Sequence, residues 1–589
     1  PFGFALAMVL GGRHFFREGL EELWKERRVG IEILMTAAAL GAAILGLWDE
    51  AALLVFLYAV AEALEEYAYA RTRSAIRTLL DLAPKDARVL RDGHEEAVAA
   101  ADLRPGDRFV VRPGDAIATD GIIREGSSAL DESPVTGESM PIEKRPGDQV
   151  FAGTVNKQGA LVVEVTAAFE DNTLSKIIHL VEEAQEQKSQ LQRFIERFGN
   201  RYTPAVLVAA ILLLTVPPLF GEPFLPWALR AVVLLVAAAP CALVMSTPVA
   251  AAAGIGIAGR HGVLIKGGVH LENLGRVKGV AFDKTGTLTE GKPEVTDLTH
   301  FGSGTSDDVL GLAASVEQFS EHPLGQAILL RARGERIGLK PAIGFQSLTG
   351  LGAKARIDGM EVFVGRPALL EQHGIPLDQA QAAVERLQAQ GKTVVAIGRD
   401  HTLLGLVALR DRVRPGAREA IAALHRSGIR VTMLTGDNAR TAAAIADELA
   451  IDHVHAELKP EEKVKYLGYL QAQEGPVAMV GDGINDAPAL AAATVGIAMG
   501  AAGTDAAIEA ADVALMADDL QKVVYAIRLG KAARAISTQN IVFSLVVLSI
   551  LIPSALLGAV SIVAAVFAHE VSELLAVANG LRVARYRGA

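Results

Sequence analysis

Cysteine is almost absent: Cys241 stands alone in 589 residues. One thiol makes neither an internal disulfide framework nor a C-x-x-C metal module. Aromatic residues are scarce as well, at 5%. Basic charge is in deficit, with 57 Lys and Arg against 68 Asp and Glu, a net charge of −11. That balance argues against a nucleic-acid-binding body, which carries a basic footprint, and no nucleic-acid partner is expected. What is plentiful is apolar side chain. At 51% hydrophobic the chain is not disordered. At ~100–200 residues per domain it should hold three or more units. The averages conceal that apolar and charged residues are segregated along the chain.

Residues 33–48 (ILMTAAALGAAILGLW) and 51–61 are nearly uncharged, as are 204–220. The longest run, 231–259, has no charge in 29 residues, and 541–568 forms another, interrupted near Pro553 and Gly558. A bilayer core of ~30 Å takes about 20 apolar residues per helix. Six spans are therefore expected, near 31–48, 50–70, 203–220, 228–250, 536–554 and 557–582. The first ten residues are apolar and meet Gly11-Gly12, then an amphipathic stretch with Phe15, Phe16, Leu20 and Trp24. This reads as the end of a further helix, kinked at the glycine pair, with a second half along the membrane surface. The start at Pro1 raises the expectation of further chain before it, and no basic leader or small-residue cleavage site marks a signal peptide.

Between the apolar runs lie charged blocks. Residues 84–200 are rich in Val, Gly and P-G-D turns, the mark of a small β-rich domain. In 260–535, strands at 279–283, 429–437 and 476–486 end in acidic loops and alternate with helical stretches, the pattern of a parallel α/β sheet. Ligands of such sheets gather at the carboxyl ends of the strands, so Asp283, Thr435–Asp437 and Asp482 should meet. Residues 297–410 interrupt the pattern as an inserted domain.

The run Asp283-Lys284-Thr285-Gly286-Thr287-Leu288-Thr289 carries the chemistry. An Asp carboxylate can attack a phosphoryl group to give an acyl phosphate. A neighbouring Lys, the amides around Gly286 and Mg²⁺ can neutralise phosphate oxygens. With these residues the sequence resembles the P-type ATPases over essentially its whole length. T-G-E-S at 136–139 matches their dephosphorylation loop, D-K-T-G-T-L-T their phosphorylation site, T-G-D at 435–437 their phosphate-positioning loop, and G-D-G-I-N-D at 481–486 their Mg²⁺ and hinge region. The resemblance implies a multi-domain membrane protein. It would have an α-helical transmembrane bundle, a β-rich actuator domain, a haloacid-dehalogenase-like α/β phosphorylation domain and an inserted α+β nucleotide-binding domain. It implies roles residue by residue. Asp283 is the nucleophile. The Thr285 carbonyl and Asp482, with Asp283, hold Mg²⁺. Thr435 and Lys459 grip phosphoryl oxygens, Asp437 belongs to the same loop, Asn485 bonds the phosphoryl group, and Asp486 sits near the Mg²⁺ shell. Glu138 orients the hydrolytic water.

After residue 535 only two helices fit, which is the heavy-metal (type IB) pattern. Ser320-Glu321-His322-Pro323 and Gly350-Leu351-Gly352 resemble that branch's nucleotide motifs. The resemblance therefore implies that Glu321, His322, Gly350 and Gly352 line the ATP pocket. The transported ion is expected at Ala239-Pro240-Cys241, where a proline opens the helix and a thiolate offers a soft ligand. The last helix adds His569, Glu570 and Glu573; acids in lipid are costly unless they face a partner or cavity. Cys241, His569 and Glu570 form a mixed S/N/O set suited to a divalent borderline ion. The cobalt-type subgroup, with Ser-Pro-Cys and His-Glu-Gly-Gly-Thr, is the nearest resemblance. This chain departs from it with Ala239 for Ser and with Glu573 where Thr is expected. Co²⁺ and Zn²⁺ are favoured, with Cd²⁺, Fe²⁺, Mn²⁺ and Cu⁺ as alternatives. Glu32 could assist metal entry or exit; Glu65 and Glu66 read as solvated helix ends.

The expected layout is membrane helices at 1–83, actuator domain at 84–200, two helices at 201–259, phosphorylation domain at 260–296 and 411–535, nucleotide domain at 297–410, and two helices at 536–589. The protein should be a monomer in the bilayer of a plasma (inner) membrane, with its soluble domains cytoplasmic and ATP, Mg²⁺ and a transition metal as its ligands. Rival readings are a membrane-tethered phosphatase or metal sensor without transport, and a pump for alkali cations or lipid. Cys241 and His569 speak against the latter.

Overall fold

The computed structural model describes residues 2–21, 24–25, 29–80, 84–91, 94–132, 141–175, 189–302, 304–320, 322–348, 350–482, 486–500, 509 and 511–586. They fall into two compact units, Pro1–Arg276 with Tyr525–Ala589, and Val277–Val524.

In the first unit, four of the described helices are long and apolar enough to cross a membrane: Gln190–Leu219, Phe224–Arg260, Gln521–Leu556 and Ile562–Arg585. The window in Phe224–Arg260 is 78% buried against 17% for that in Gln190–Leu219, so the former is the inner helix and the latter a peripheral one. The expected first span is the shorter helix Ile31–Ile44, 14 residues or about 21 Å long. The second lies in Trp48–Leu80, where Glu62, Glu65 and Glu66 interrupt the apolar run. Ala38, Ala39 and Ala42 let Ile31–Ile44 pack closely into a core with Val232–Val236, Cys241, Ala555 and Ala565.

Two details bear on the sequence reading. The helix Phe2–Glu21 runs on through Gly11-Gly12, so the pair does not break it. A Cβ on Gly11 would lie 3.2 Å from Val55 Cγ1, so the glycine serves close helix packing rather than a turn. The expected span at 228–250 is not one smooth helix. Phe224–Ala237 ends, Ala238–Pro240 is irregular, and Cys241–Met245 and Pro248–Arg260 follow. Pro240 and Pro248 cannot donate to the helical ladder, which places the interruption.

The first unit also holds the β-rich block. Its antiparallel sheet runs His94–Ala99, Asp86–Arg91, Arg108–Val111, Leu161–Val165, Gly121–Glu125, Gln149–Val150, beside a three-stranded sheet of Ile142–Lys144, Ser128–Asp131 and Val155–Asn156. Alternating burial along Leu161–Val165 sends Leu161, Val163 and Val165 into its core.

The second unit is built on parallel strands in the order Val513–Leu515, Val495–Ala498, Val477–Gly481, Gly279–Asp283, Arg430–Leu434, His453–His455. Gly279–Asp283 and Val477–Gly481 are buried at every position, as expected of central strands covered on both faces. An antiparallel sheet is inserted in the order Thr289–His300, Thr402–Val413, Thr393–Arg399, Met360–Gly365, Gly352–Ile357, Ile343–Leu348. The period of two decides its layers. Val395, Ile397 and Val407 pack under Ser306–Glu317 and Pro323–Gly334, while Val394, Ala396 and Leu406 face Pro367–Gln372 and Gln381–Ala389.

Candidate phosphorylation centre and metal site

Asp283 ends the central strand, in register with Leu434 of the neighbouring strand, so Thr435 follows alongside it. Phe282 pairs with Val480 on the other side, which brings Gly481 and Asp482 to the same edge. The parallel register thus gathers the three motifs, as expected of an α/β sheet. Gly286 takes φ +74°, the left-handed turn that glycine adopts freely, and a Cβ there would lie 3.6 Å from Asp482 Oδ2. The turn and the Asp482 carboxylate therefore face each other. Thr285 is exposed. Thr435 is buried, and its hydroxyl accepts from the Asp437 amide at 3.1 Å.

Lys463, not Lys459, reaches Asp283. Its Nζ lies 2.6 Å from Asp283 Oδ1 and 2.7 Å from Asp486 Oδ1. Lys459 caps the helix Pro460–Glu474 from the exposed side, where its amide donates to Glu462 at 2.8 Å. The two lysines are one turn apart, and proline at the first helical position fixes where the turn count starts. Burial pushes the Asp283 carboxyl up to about 7, Asp486 adds to this, and Lys463 opposes it. Burial also draws the Lys463 ammonium down, but the Asp283 and Asp486 carboxylates more than reverse it. Lys284 is buried and pairs with Asp437, so this motif lysine is engaged by a carboxylate. Glu138 and Asn485 lie outside the described residues.

Two further residues brace the loop. Arg414 Nη2 donates to Gly286 O at 2.9 Å and its Nε to Thr287 O at 3.1 Å. Asp411 accepts from the Thr289 hydroxyl at 2.5 Å and from the Lys292 amide at 3.0 Å. Both sit where the inserted sheet returns to the parallel one, a position no local pattern in the sequence marks.

In the inserted domain, His322 caps Pro323–Gly334 by accepting the Leu324 amide on Nδ1 at 3.2 Å. Partial burial, then Arg366, hold its imidazole below the usual range, consistent with a neutral acceptor. Glu321 lies outside the described residues. Gly350 and Gly352 have φ +75° and +146°, and a Cβ on Gly352 would stand 2.3 Å from Val364 O. Gly352 is therefore held by close backbone packing against Met360–Gly365, while Gly350 turns the chain in open space.

The sequence reading passed over Glu317. It is 8% exposed, and a Cβ on Gly325 would stand 2.3 Å from its Oε2. Its signal was an acid among apolar neighbours on a helical face. Burial raises its pKa, with Ser320 opposing. A carboxyl raised on folding favours the fold below its unfolded value of about 4.5 and charges at a cost as pH rises past its folded value. Glu317→Gln should therefore protect Ser306–Glu317 against amide hydrogen exchange more at pH 8 than at pH 4.5. Equal effects at both pH values would refute this.

In the first unit, Cys241, His569 and Glu573 each place one ligand atom within 4.8 Å of the others. They are 5%, 2% and 7% exposed. His569 and Glu573 are one helical turn apart and share a face. Glu570, expected with Cys241 and His569, is buried but stands outside this triad, since it points about 100° away from His569 around the helix. His569 Nε2 is buried without a hydrogen-bond partner. The adjoining pocket is lined by Ala239, Pro240, Ser544, His569 and Ser572 among others. An unpartnered buried imidazole nitrogen beside a thiol and a carboxyl is a donor set fit for a metal ion.

Comparison with known proteins agrees with this geometry. Residues 277–494 match the haloacid dehalogenase-like hydrolases, and 81–182 match the P-type ATPase actuator domain. A probable cadmium-transporting ATPase of Listeria monocytogenes is 45% identical over 99% of this chain and 83% of its own length. A probable cation-transporting ATPase G of Mycobacterium bovis is 48% identical over 99% of this chain and 74% of its own. The crystal structure of a zinc-transporting PIB-type ATPase in its E2.Pi state superposes with a TM-score of 0.61 at 40% identity, covering 99% of this chain and 95% of that one. Sheet order, motif convergence and these likenesses agree: the chain belongs to the P-type ATPases, in the heavy-metal-transporting type IB branch, as an integral membrane enzyme with cytoplasmic soluble domains.

Proposed function

We propose that the chain exports a divalent borderline ion, Zn²⁺, Cd²⁺ or Co²⁺, from the cytoplasm, driven by ATP. The observation that carries this is the buried triad of one sulfur, one nitrogen and one oxygen donor at Cys241, His569 and Glu573. Thiolate and imidazole suit Zn²⁺ and its neighbours, and the carboxylate makes the set harder than Cu⁺ prefers. The names of the relatives, cadmium- and zinc-transporting, support the first two ions, while the Ala-Pro-Cys and His-Glu motifs keep Co²⁺ in the set. Fe²⁺, Mn²⁺ and Cu⁺ rank below them.

In this reading Asp283 attacks the γ-phosphoryl group of ATP; a carboxylate oxygen–phosphorus bond forms and ADP leaves with the electron pair. Lys463 orients the nucleophile and shields its charge from Asp486. Asp283, Asp482 and the Thr285 carbonyl would hold Mg²⁺, which would supply charge neutralisation at the phosphoryl oxygens. Thr435 would hold the phosphoryl group, and Asn485 would hydrogen-bond it. Lys284 and Asp437, as an ion pair, set the shape of the loop. His322, Gly350 and Gly352, with Glu321, form the nucleotide pocket. Glu138 orients the water that hydrolyses the aspartyl phosphate. Glu570, whose Oε2 is also buried without a hydrogen-bond partner, stands outside the triad that binds the ion. One chain suffices for the cycle, in a plasma or inner membrane.

Transport is tested in sealed inside-out vesicles. ATP should drive accumulation of Zn²⁺, Cd²⁺ or Co²⁺. Metal-stimulated ATP hydrolysis without accumulation would favour the phosphatase or sensor reading instead.

A further inference from the structure

The helix Gln190–Leu219 exposes a single stripe along its whole length. Its buried positions, Ile195, Thr203, Val206 and Ala210, fall on one side. At about 100° per residue the exposed ones fall within an arc of roughly 160° on the other. In the carboxyl-terminal half that stripe is apolar: Val208, Ile211, Leu212, Val216 and Leu219 are each at least 40% exposed. In the amino-terminal half the same stripe changes character. Arg193, Arg197 and Arg201 are exposed at intervals of four. Phe194 and Phe198 lie beside them, 61% and 38% exposed, and Phe198 stacks on Tyr202 at 5.2 Å. Glu196 is the acid in this segment, against three arginines.

We infer that this segment binds the headgroups of anionic phospholipids in the cytoplasmic leaflet. The apolar stripe is the lipid-facing side of a peripheral span, and the arginines continue it on the same side, exposed among the described residues. Depth agrees. Arg201 lies four residues, about 6 Å, beyond the apolar stripe's first exposed position at Ala205, and each headgroup layer is about 5–8 Å deep. Arg197 stands about 6 Å further out and Arg193 another 6 Å, a spacing within the reach of an anionic surface potential. The phenylalanines occupy the interfacial level that aromatic rings favour. Guanidinium forks match phosphate oxygens in pairs. An aqueous protein partner would not require charges aligned with a lipid-facing stripe.

The test uses the full chain in phosphatidylcholine vesicles with spin-labelled phosphatidylglycerol or phosphatidylcholine. The wild type should select the anionic lipid by about fivefold, the ratio for one cation at the headgroup level. That ratio should fall toward unity in R193Q/R197Q/R201Q, persist in R193K/R197K/R201K, and weaken as salt rises. The glutamine variant should keep its metal-stimulated ATPase activity in phosphatidylcholine alone, which checks its folding. If it does not fold, the lysine variant and the salt titration of wild type decide. An unchanged ratio in a folded glutamine variant, or a wild-type selectivity insensitive to salt, overturns the proposal. So does its abolition by inorganic phosphate at constant ionic strength, which would mark a phosphate site instead.

Discussion

Asp283→Asn should abolish acyl-phosphate formation and lower ATP turnover by at least about 10³-fold, as loss of an enzymic nucleophile does. The amide keeps the shape of the carboxyl and loses its nucleophilic charge. The variant should still fold, because burying an amide in place of a carboxylate relieves a charge held between Asp486 and Asp482. Radiolabelling with γ-labelled ATP and acid quenching reads the result, and retained label would sink the role. The same assay carries a pH test. Asp283 titrates at about 7, raised first by burial. Its nucleophilic form is therefore depleted as pH falls below that value, and labelling rates should decline between pH 7.5 and 6. Lys463→Met should move the decline to higher pH, since the cation that favours the carboxylate is gone.

The second large effect concerns the membrane triad. Cys241→Ala and Glu573→Ala should each reduce metal-stimulated ATPase activity to near background. In a site of three donors, removing one leaves the others to hold a divalent ion alone. Glu570→Gln should retain most of the stimulation while leaving metal stoichiometry unchanged. This contrast separates the observed triad from the wider set expected from sequence, Cys241, His569, Glu570 and Glu573. Measured across a panel of Zn²⁺, Cd²⁺, Co²⁺ and Cu⁺, it also reads the ion preference. Full activity in Glu573→Ala, or background activity in Glu570→Gln with an intact fold, would reject the assignment.

Local sequence carried the chemistry that depends on residue type and order. Asp283 announced itself because a buried strand ends in an acid followed by Lys, Thr and a glycine that turns the chain. The inner helix was legible because 29 residues without charge have no comfortable place in water. The parallel sheet followed from apolar strands alternating with helices, and its register then brought Asp283, Thr435 and Asp482 to one edge.

The sequence reading took Lys459 and both Glu570 and Glu573, whereas the structure sets Lys463 on Asp283 and Glu573 beside Cys241 and His569. Lys459 and Lys463 share a motif, and so do Glu570 and Glu573. In both cases residue type is the same: the lysines differ by one turn of height along the helix, the glutamates in rotation about its axis. Which of each pair meets its partner is set by what packs against the helix, which is long-range information. The proline at the start of Pro460–Glu474 puts Lys463 beside Asp283, and the seating of Ile562–Gly580 against the broken helix at Pro240 turns Glu573 toward Cys241. Residue order thus determined which kinds of group this pump uses. Tertiary packing alone decided which lysine lies against Asp283 and which glutamate joins Cys241 and His569, because no local pattern records the position of a distant partner.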